Sequence, residues 1–244
     1  APGSLAAFAV IDNFKDFNVE MVFKKGVLYW NNGELRDFDA PQIEEYLDKR
    51  AHDTFHVATL TPDDFRDTRQ RGVLGMVPGE IITTDNGYAD HVDLEKDILK
   101  IAVVERHKGT HHIGLGYIQG YGLRSGAVAT SISHDSHNII VVGTNSADMA
   151  AAANHIVEHH GGIVVMENGA VKGEVVLEIA GIMSDRPLTE INTELEAAKA
   201  AAFDLGVSRG IDPFMTLSFM ALPVIPKLRI TTRGVIDVET QQYV

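Results

Sequence analysis

The chain has 244 residues, 45% of them hydrophobic, with 21 Lys and Arg against 34 Asp and Glu, a formal charge of −13. That length and apolar fraction allow a buried core in one large domain or two modest ones. The acidic balance argues against a nucleic-acid partner, and the absence of Cys excludes a disulfide scaffold, a thiolate metal site and a Cys nucleophile.

In chain order, the N-terminus Ala1-Pro2-Gly3-Ser4 has no basic segment and no initiator Met, so it is no signal peptide and reads as the start of a piece of something longer. Leu5 to Ile11, Glu20 to Lys24 and Val27 to Trp30 are short apolar runs separated by Lys25-Gly26 and closed by Asn31-Asn32-Gly33. They predict a small β unit over residues 1–40. Pro41 to Arg50, with Ile43, Tyr46 and Leu47 on one face, predicts a polar helix. A soft boundary falls in residues 37–56, and a larger unit is expected over 57–244. There Gly79 to Thr84 and Ile98 to Glu105 read as strands, and the glycine-rich Gly114 to Gly126 as turns or close packing. Asn138 to Val142 reads as a strand covered on both faces.

A helix follows with Ser146 as its N-cap, Met149, Ala153, Ile156 and Val157 on its apolar side, and Gly161-Gly162 as its stop. Ile163 to Met166, Asn168-Gly169 and Ala170 to Leu177 predict a β-hairpin, since Asn-Gly supplies the positive φ such a turn needs. A second helix is expected from Leu188 to Leu205, with Ser184 or Asp185 as cap and Gly206 as stop. The stretch from Pro213 to Pro226 is too short for a membrane span and holds three prolines, so it predicts an irregular, apolar, core-wrapping tail. Helices and strands interleave throughout, which gives a mixed α/β (α+β) class.

The sharpest chemical feature is Ser133-His134-Asp135-Ser136-His137-Asn138. Two imidazoles and a carboxylate this close suit a divalent cation if the segment is a tight loop, and suit acid–base work by one His oriented by Asp135 equally well. A polar loop bonding its own backbone has the same composition. The other histidines read more plainly: His111-His112 as solvated loop residues, His52 and His56 as a surface pair, and His155, His159 and His160 as cationic capping at a helix C-terminus. Gly114-x-Gly116-x-x-x-Gly120 is one residue too long for a dinucleotide loop. Arg124 reads as an anion holder or a structural ion-pair partner, and no nucleophile-elbow or Walker pattern is present.

Gly126 to Gly143, Ile179 to Asp185, Pro213 to Pro226 and Thr232 to Val238 together resemble the C-terminal domain of bacterial adenine deaminase, a family of the metal-dependent amidohydrolase superfamily. The resemblance covers essentially the whole chain. Residues 1–10 resemble the strand that leaves the amidohydrolase barrel for its small β domain, with Ala7 where the family usually has Asp. The barrel that carries the family's metal ligands is absent from this sequence.

The resemblance implies hydrolysis of adenine to hypoxanthine and ammonia, with this chain completing or covering the active site of that barrel. It implies His134, Asp135 and His137 as catalytic residues and Ser136, Arg124 and Ser184 as substrate-binding ones. It further implies a divalent metal, Mn or Fe, held mainly by the barrel, and a cytoplasmic homo-oligomer with neither nucleic acid nor membrane as partner. Two alternatives stay open: a structural and oligomerisation module without catalytic residues, and a free-standing metalloenzyme built on His134, Asp135 and His137.

Overall fold

A computed structural model describes residues 3–36 and 42–244. The chain divides into two compact units, residues 1–45 and 46–244.

In the first unit, β1 (Phe8–Ile11), β2 (Val19–Lys24), β3 (Val27–Asn31) and β4 (Glu34–Leu35) form an antiparallel meander in chain order. Lys25 and Gly26, with φ of 53° and 77°, make the two-residue turn between β2 and β3. Positive φ at both positions matches the right-handed twist of the flanking strands. The apolar run from Leu5 becomes strand only at Phe8, and β4 lies beyond the expected strands. Phe8 stacks on Phe23 at 4.8 Å, yet no described residue of this unit is buried. The polar helix is α1 (Glu45–His52), which also buries nothing; Pro41 lies outside the described residues. α1 ends at His52, so His56 lies outside it, and both imidazoles reach solvent, as expected of surface residues.

The second unit is built on a sheet whose strands are β5 (Arg71–Met76), β6 (Thr83–Ala89), β7 (Ile98–Val104), β8 (Ile113–Gln119), β9 (Ala127–Thr130), β10 (Ile139–Gly143), β11 (Gly162–Glu167) and β12 (Ala170–Val176). Their spatial order is β12-β11-β9-β10-β7-β8-β5-β6, antiparallel except between β5 and β8. β9 and β10 are buried along their whole length. Their alternate side chains feed two cores: Ala127, Ala129, Ile139 and Val141 on one face, Val128, Ile140 and Val142 on the other.

The first face is covered by α2 (Ser146–Glu158) and by the segment around Phe55, Leu60 and Phe65. Asn154 holds that segment by bonding both the N–H and the C=O of Leu60, at 2.9 and 2.8 Å. The second face is covered by α3 (Leu188–Asp204), α4 (Pro213–Met220) and a small antiparallel sheet of β13 (Leu228–Thr231), β14 (Gly234–Asp237) and β15 (Gln242–Tyr243).

Several expectations are corrected here. The strand expected over Gly79 to Thr84 begins only at Thr83, and β5 was not foreseen. The helix cap is Asn145, whose side chain accepts from the Asp148 N–H at 2.8 Å, and not Ser146. α3 starts after Pro187 with no side-chain cap, so neither Ser184 nor Asp185 serves there. The tail is regular only in its first part: Asp212 accepts from the Phe214 and Met215 N–H groups, which lets Pro213 open α4 at a position where a missing N–H costs nothing, and residues 221–227 are irregular as expected.

The first half of the glycine-rich stretch is a strand. A Cβ on Gly114 would lie 1.8 Å from the Thr231 carbonyl oxygen and one on Gly116 2.3 Å from Val235, so β8 is glycine-rich because the small sheet lies directly on it.

Candidate functional site

Residues 131–138 join β9 to β10 and emerge at one end of the sheet from two buried strands. Their backbone is tied down at several points. Ser131 N–H donates to Gly162 O at 3.0 Å, its hydroxyl donates to Gly181 O at 2.5 Å, and that hydroxyl accepts from Gly162 N–H at 2.8 Å. His134 N–H donates to Ser218 O at 3.0 Å, and His137 N–H closes the loop onto Ser133 O at 2.6 Å.

Arg106, 2% exposed, is the central brace. Its guanidinium donates to His137 O, to Thr54 O at 2.9 Å and to Ala180 O at 2.9 Å, and its plane lies 4.2 Å from the Phe55 ring centroid. Burial pulls its pKa down to about 10, which still leaves it charged. Gly181 (φ 74°) approaches so closely that a Cβ there would stand 2.8 Å from Phe55 and 3.0 Å from Arg106. Asn138 accepts from Arg106 N–H at 3.2 Å, and His107 Nε2 donates to Ser136 O at 2.7 Å.

The side chains of the loop divide: Ser131, Ser133 and Asn138 are buried, Ile132, His134 and His137 are half-buried, and Asp135 and Ser136 are exposed. The His134 ring lies 4.9 Å from Phe219 and 6.0 Å from His137, and its Nδ1 is 4.0 Å from Asp135 Oδ1. Asp135 is 89% exposed. His137 sits at φ 47°, a left-handed conformation rare for a side chain of this size. Its Nδ1 accepts from Ser133 N–H at 3.4 Å, which leaves Nε2 as the protonated, donating nitrogen. Burial, then the charges of His134 and Arg106, hold its pKa below the usual histidine value. A cavity of about 360 Å³ runs beside the loop, lined by Asp135, Ser136, Asn138, Leu222, Val224 and Thr232 among others.

The structure thus brings His134, Asp135, Ser136 and His137 together. Ser184 follows the 179–183 segment that touches the loop base, but its hydroxyl pairs with Glu178 at 3.4 Å and with Arg186. Arg124 precedes β9 whereas the loop follows it, so the length of that strand separates them; its Nη1 donates to Leu94 O at 2.6 Å. The residues missed in the sequence are the braces, Arg106, His107 and Phe219. Arg106-His107 directly after the apolar strand was the one signal for them, since an Arg at a buried strand end needs acceptors.

As a metal site the loop fits poorly. His134, Asp135 and His137 do not form a set of ligand atoms lying within 4.8 Å of one another; among the described residues, only His155, His159 and Glu174 do.

The profile of the adenine deaminase C-terminal domain matches residues 79–242. The chain belongs to that family. Similar proteins include the adenine deaminase of Nitratidesulfovibrio vulgaris strain Hildenborough, 39% identical over 257 residues, covering 100% of this chain and 43% of the relative. That of Petrotoga mobilis is 40% identical and that of Bacillus licheniformis 38%, each match covering 100% of this chain and 44% of the relative. The chain therefore spans less than half the length of these relatives. The stretch shared with the adenine deaminase C-terminal domain contains the whole 131–138 loop, its Arg106 brace and α4.

Proposed function

We propose that this chain is the C-terminal portion of an adenine deaminase, hydrolysing adenine to hypoxanthine and ammonia, and that the 131–138 loop faces the purine at the mouth of an amidohydrolase barrel. The observation that carries this reading is the division of labour within the loop. Its backbone is held at Ser131, His134 and His137, while Asp135 and Ser136 line a cavity and His134 stays half-exposed beside them. Loops held rigidly by a scaffold are where binding and catalytic side chains concentrate.

Deamination at C6 needs proton transfer to the departing amine and donors and acceptors matched to the purine edge. Asp135 is an acceptor suited to an N–H of the base, and the neutral His137 offers Nε2–H to a ring nitrogen. His134, its ring tilted against Phe219, is the group placed to move a proton. The divalent metal of the family, Mn or Fe, would supply the activated water. The loop residues do not converge as a ligand set, so that metal belongs on this reading to the barrel, and no step through it is assigned to this chain.

The first unit supports a covering partner. A four-stranded meander with Phe8, Phe14, Phe17 and Val27 exposed has no core of its own, as expected of strands completed by the rest of a composite β domain. On the same reading the protein works in the cytoplasm as a homo-oligomer.

The test is adenine loss, followed by absorbance, with the full-length protein and with this chain alone. The chain alone should show no turnover. His134→Ala in the full-length protein should lower kcat by about 100-fold or more with an unchanged melting temperature. Equal kcat in mutant and parent would remove the loop from catalysis and leave the structural-module reading.

A further inference from the structure

The C-terminal turn of α2 carries His155 and His159, four residues apart and therefore on one face of the helix. Their ring centroids are 4.1 Å apart with 34° between the planes. The β11–β12 hairpin adds a third group. Glu174 pairs in register with Val164, whose side chain belongs to the core beneath α2, so the pleat turns Glu174 toward the helix. Its Oε2 lies 2.6 Å from His155 Nε2. One ligand atom from each of the three residues lies within 4.8 Å of the others.

Three further features suit a cation. His159 Nδ1 donates to His155 O at 2.9 Å, which fixes the tautomer and leaves the Nε2 lone pair free. The helix C-terminus presents its negative dipole end to the site. All three residues are half-buried, so protein ligands fill one side and solvent reaches the other.

We propose that His155, His159 and Glu174 form a binding site for a borderline divalent transition-metal ion, Zn²⁺ above all, that clamps the end of α2 to the edge strand β12. Two imidazoles and one carboxylate are a ligand set for zinc with an open position, and a poor one for Mg²⁺ or Ca²⁺, which take oxygen ligands. Ligand atoms around a four-coordinate zinc stand about 3.3 Å apart, from bond lengths near 2.0 Å. The His155–Glu174 pair must open slightly and His159 draw in, movements within the reach of side-chain torsions. The clamp lies next to the loop of the candidate site in the chain's own wiring, since Gly162, just past α2, bonds to Ser131 at the loop base.

The test is calorimetric titration of Zn²⁺ and, separately, Mg²⁺ into the 244-residue chain, with Co²⁺ as a spectroscopic probe. One equivalent of Zn²⁺ should bind with micromolar affinity and raise the melting temperature. Co²⁺ should give the intense visible bands of four-coordination, and Mg²⁺ should give no heat. His159→Ala and Glu174→Gln should each weaken Zn²⁺ binding by about tenfold or more, whereas the double variant His134→Ala, His137→Ala should bind as the parent does. Circular dichroism without metal checks that each variant is folded; Glu174→Gln keeps the shape of the side chain if His159→Ala does not fold. Binding absent in the parent, undiminished in both His159→Ala and Glu174→Gln, or lost in the loop double variant would overturn the site.

Discussion

Arg106 shows how much one buried charge can organise. It has no carboxylate within salt-bridge range among the described residues; instead it collects carbonyl oxygens from three separate stretches of chain. Replacing it with Ala leaves those part-buried acceptors without their shared donor. Arg106→Ala is expected to cost about 3 kcal/mol, measured by urea denaturation, and Arg106→Lys to recover only part, because a point charge cannot span three directions. His137 supplies a pH signature. Its unfolded pKa is 6.5 and its folded value is lower, so its contribution is complete above 6.5 and is lost as the pH falls through the folded value. The melting temperature should decline on acidification below 6.5, and His137→Gln should flatten that decline. Asp67 acts at lower pH: burial would raise it, but hydrogen bonds from Arg69 and Arg71 bring it down to about 2. Its contribution is lost as the pH falls from 3.8 toward that value.

At the scale of elements, the sheet-on-sheet contact above β8 is the tightest joint. Gly114→Ala would drive a methyl group to 1.8 Å from the Thr231 carbonyl oxygen, which no rotamer relieves. It is expected to destabilise by about 3 kcal/mol or to prevent folding, read by thermal denaturation, whereas Gly169→Ala, with open space around it, pays only for a φ of 72° and should cost about 1 kcal/mol. The capping residues are the other sensitive points. Asp212→Ala removes the acceptor for two N–H groups of α4 and should cost about 1 kcal/mol in the same assay. Because α4 carries Ser218, whose carbonyl holds His134, that variant should also loosen the loop.

At the scale of the whole molecule, the two units differ in what they can sustain alone. Residues 46–244 have cores on both faces of a sheet, while no described residue of the first unit is buried. Residues 46–244 made separately should unfold in one cooperative transition, and residues 1–45 made separately should show none, both followed by circular dichroism. No helix among the described residues is long and apolar enough to cross a membrane.

What the sequence determined by itself was local. Hydrophobic periodicity placed α2 and α3, Asn168-Gly169 placed the β11–β12 hairpin, and a continuous apolar run marked β10 as covered on both faces. Ser133 to Asn138 stood out because its polar residues interrupt apolar surroundings. Tertiary structure decided everything that depends on partners distant in the chain. The choice between turns and close packing for the glycines after Ile113 fell to close packing within a strand once β13 and β14 lay across them, and the first proline of a tail expected to be irregular opens a capped helix. The braces of the loop come from residues 54, 106, 180 and 218, and Glu174 reaches His155 only through the hairpin's register. Periodicity and turn chemistry are written within a few residues, whereas which carbonyl an arginine finds is fixed only when the sheet has closed.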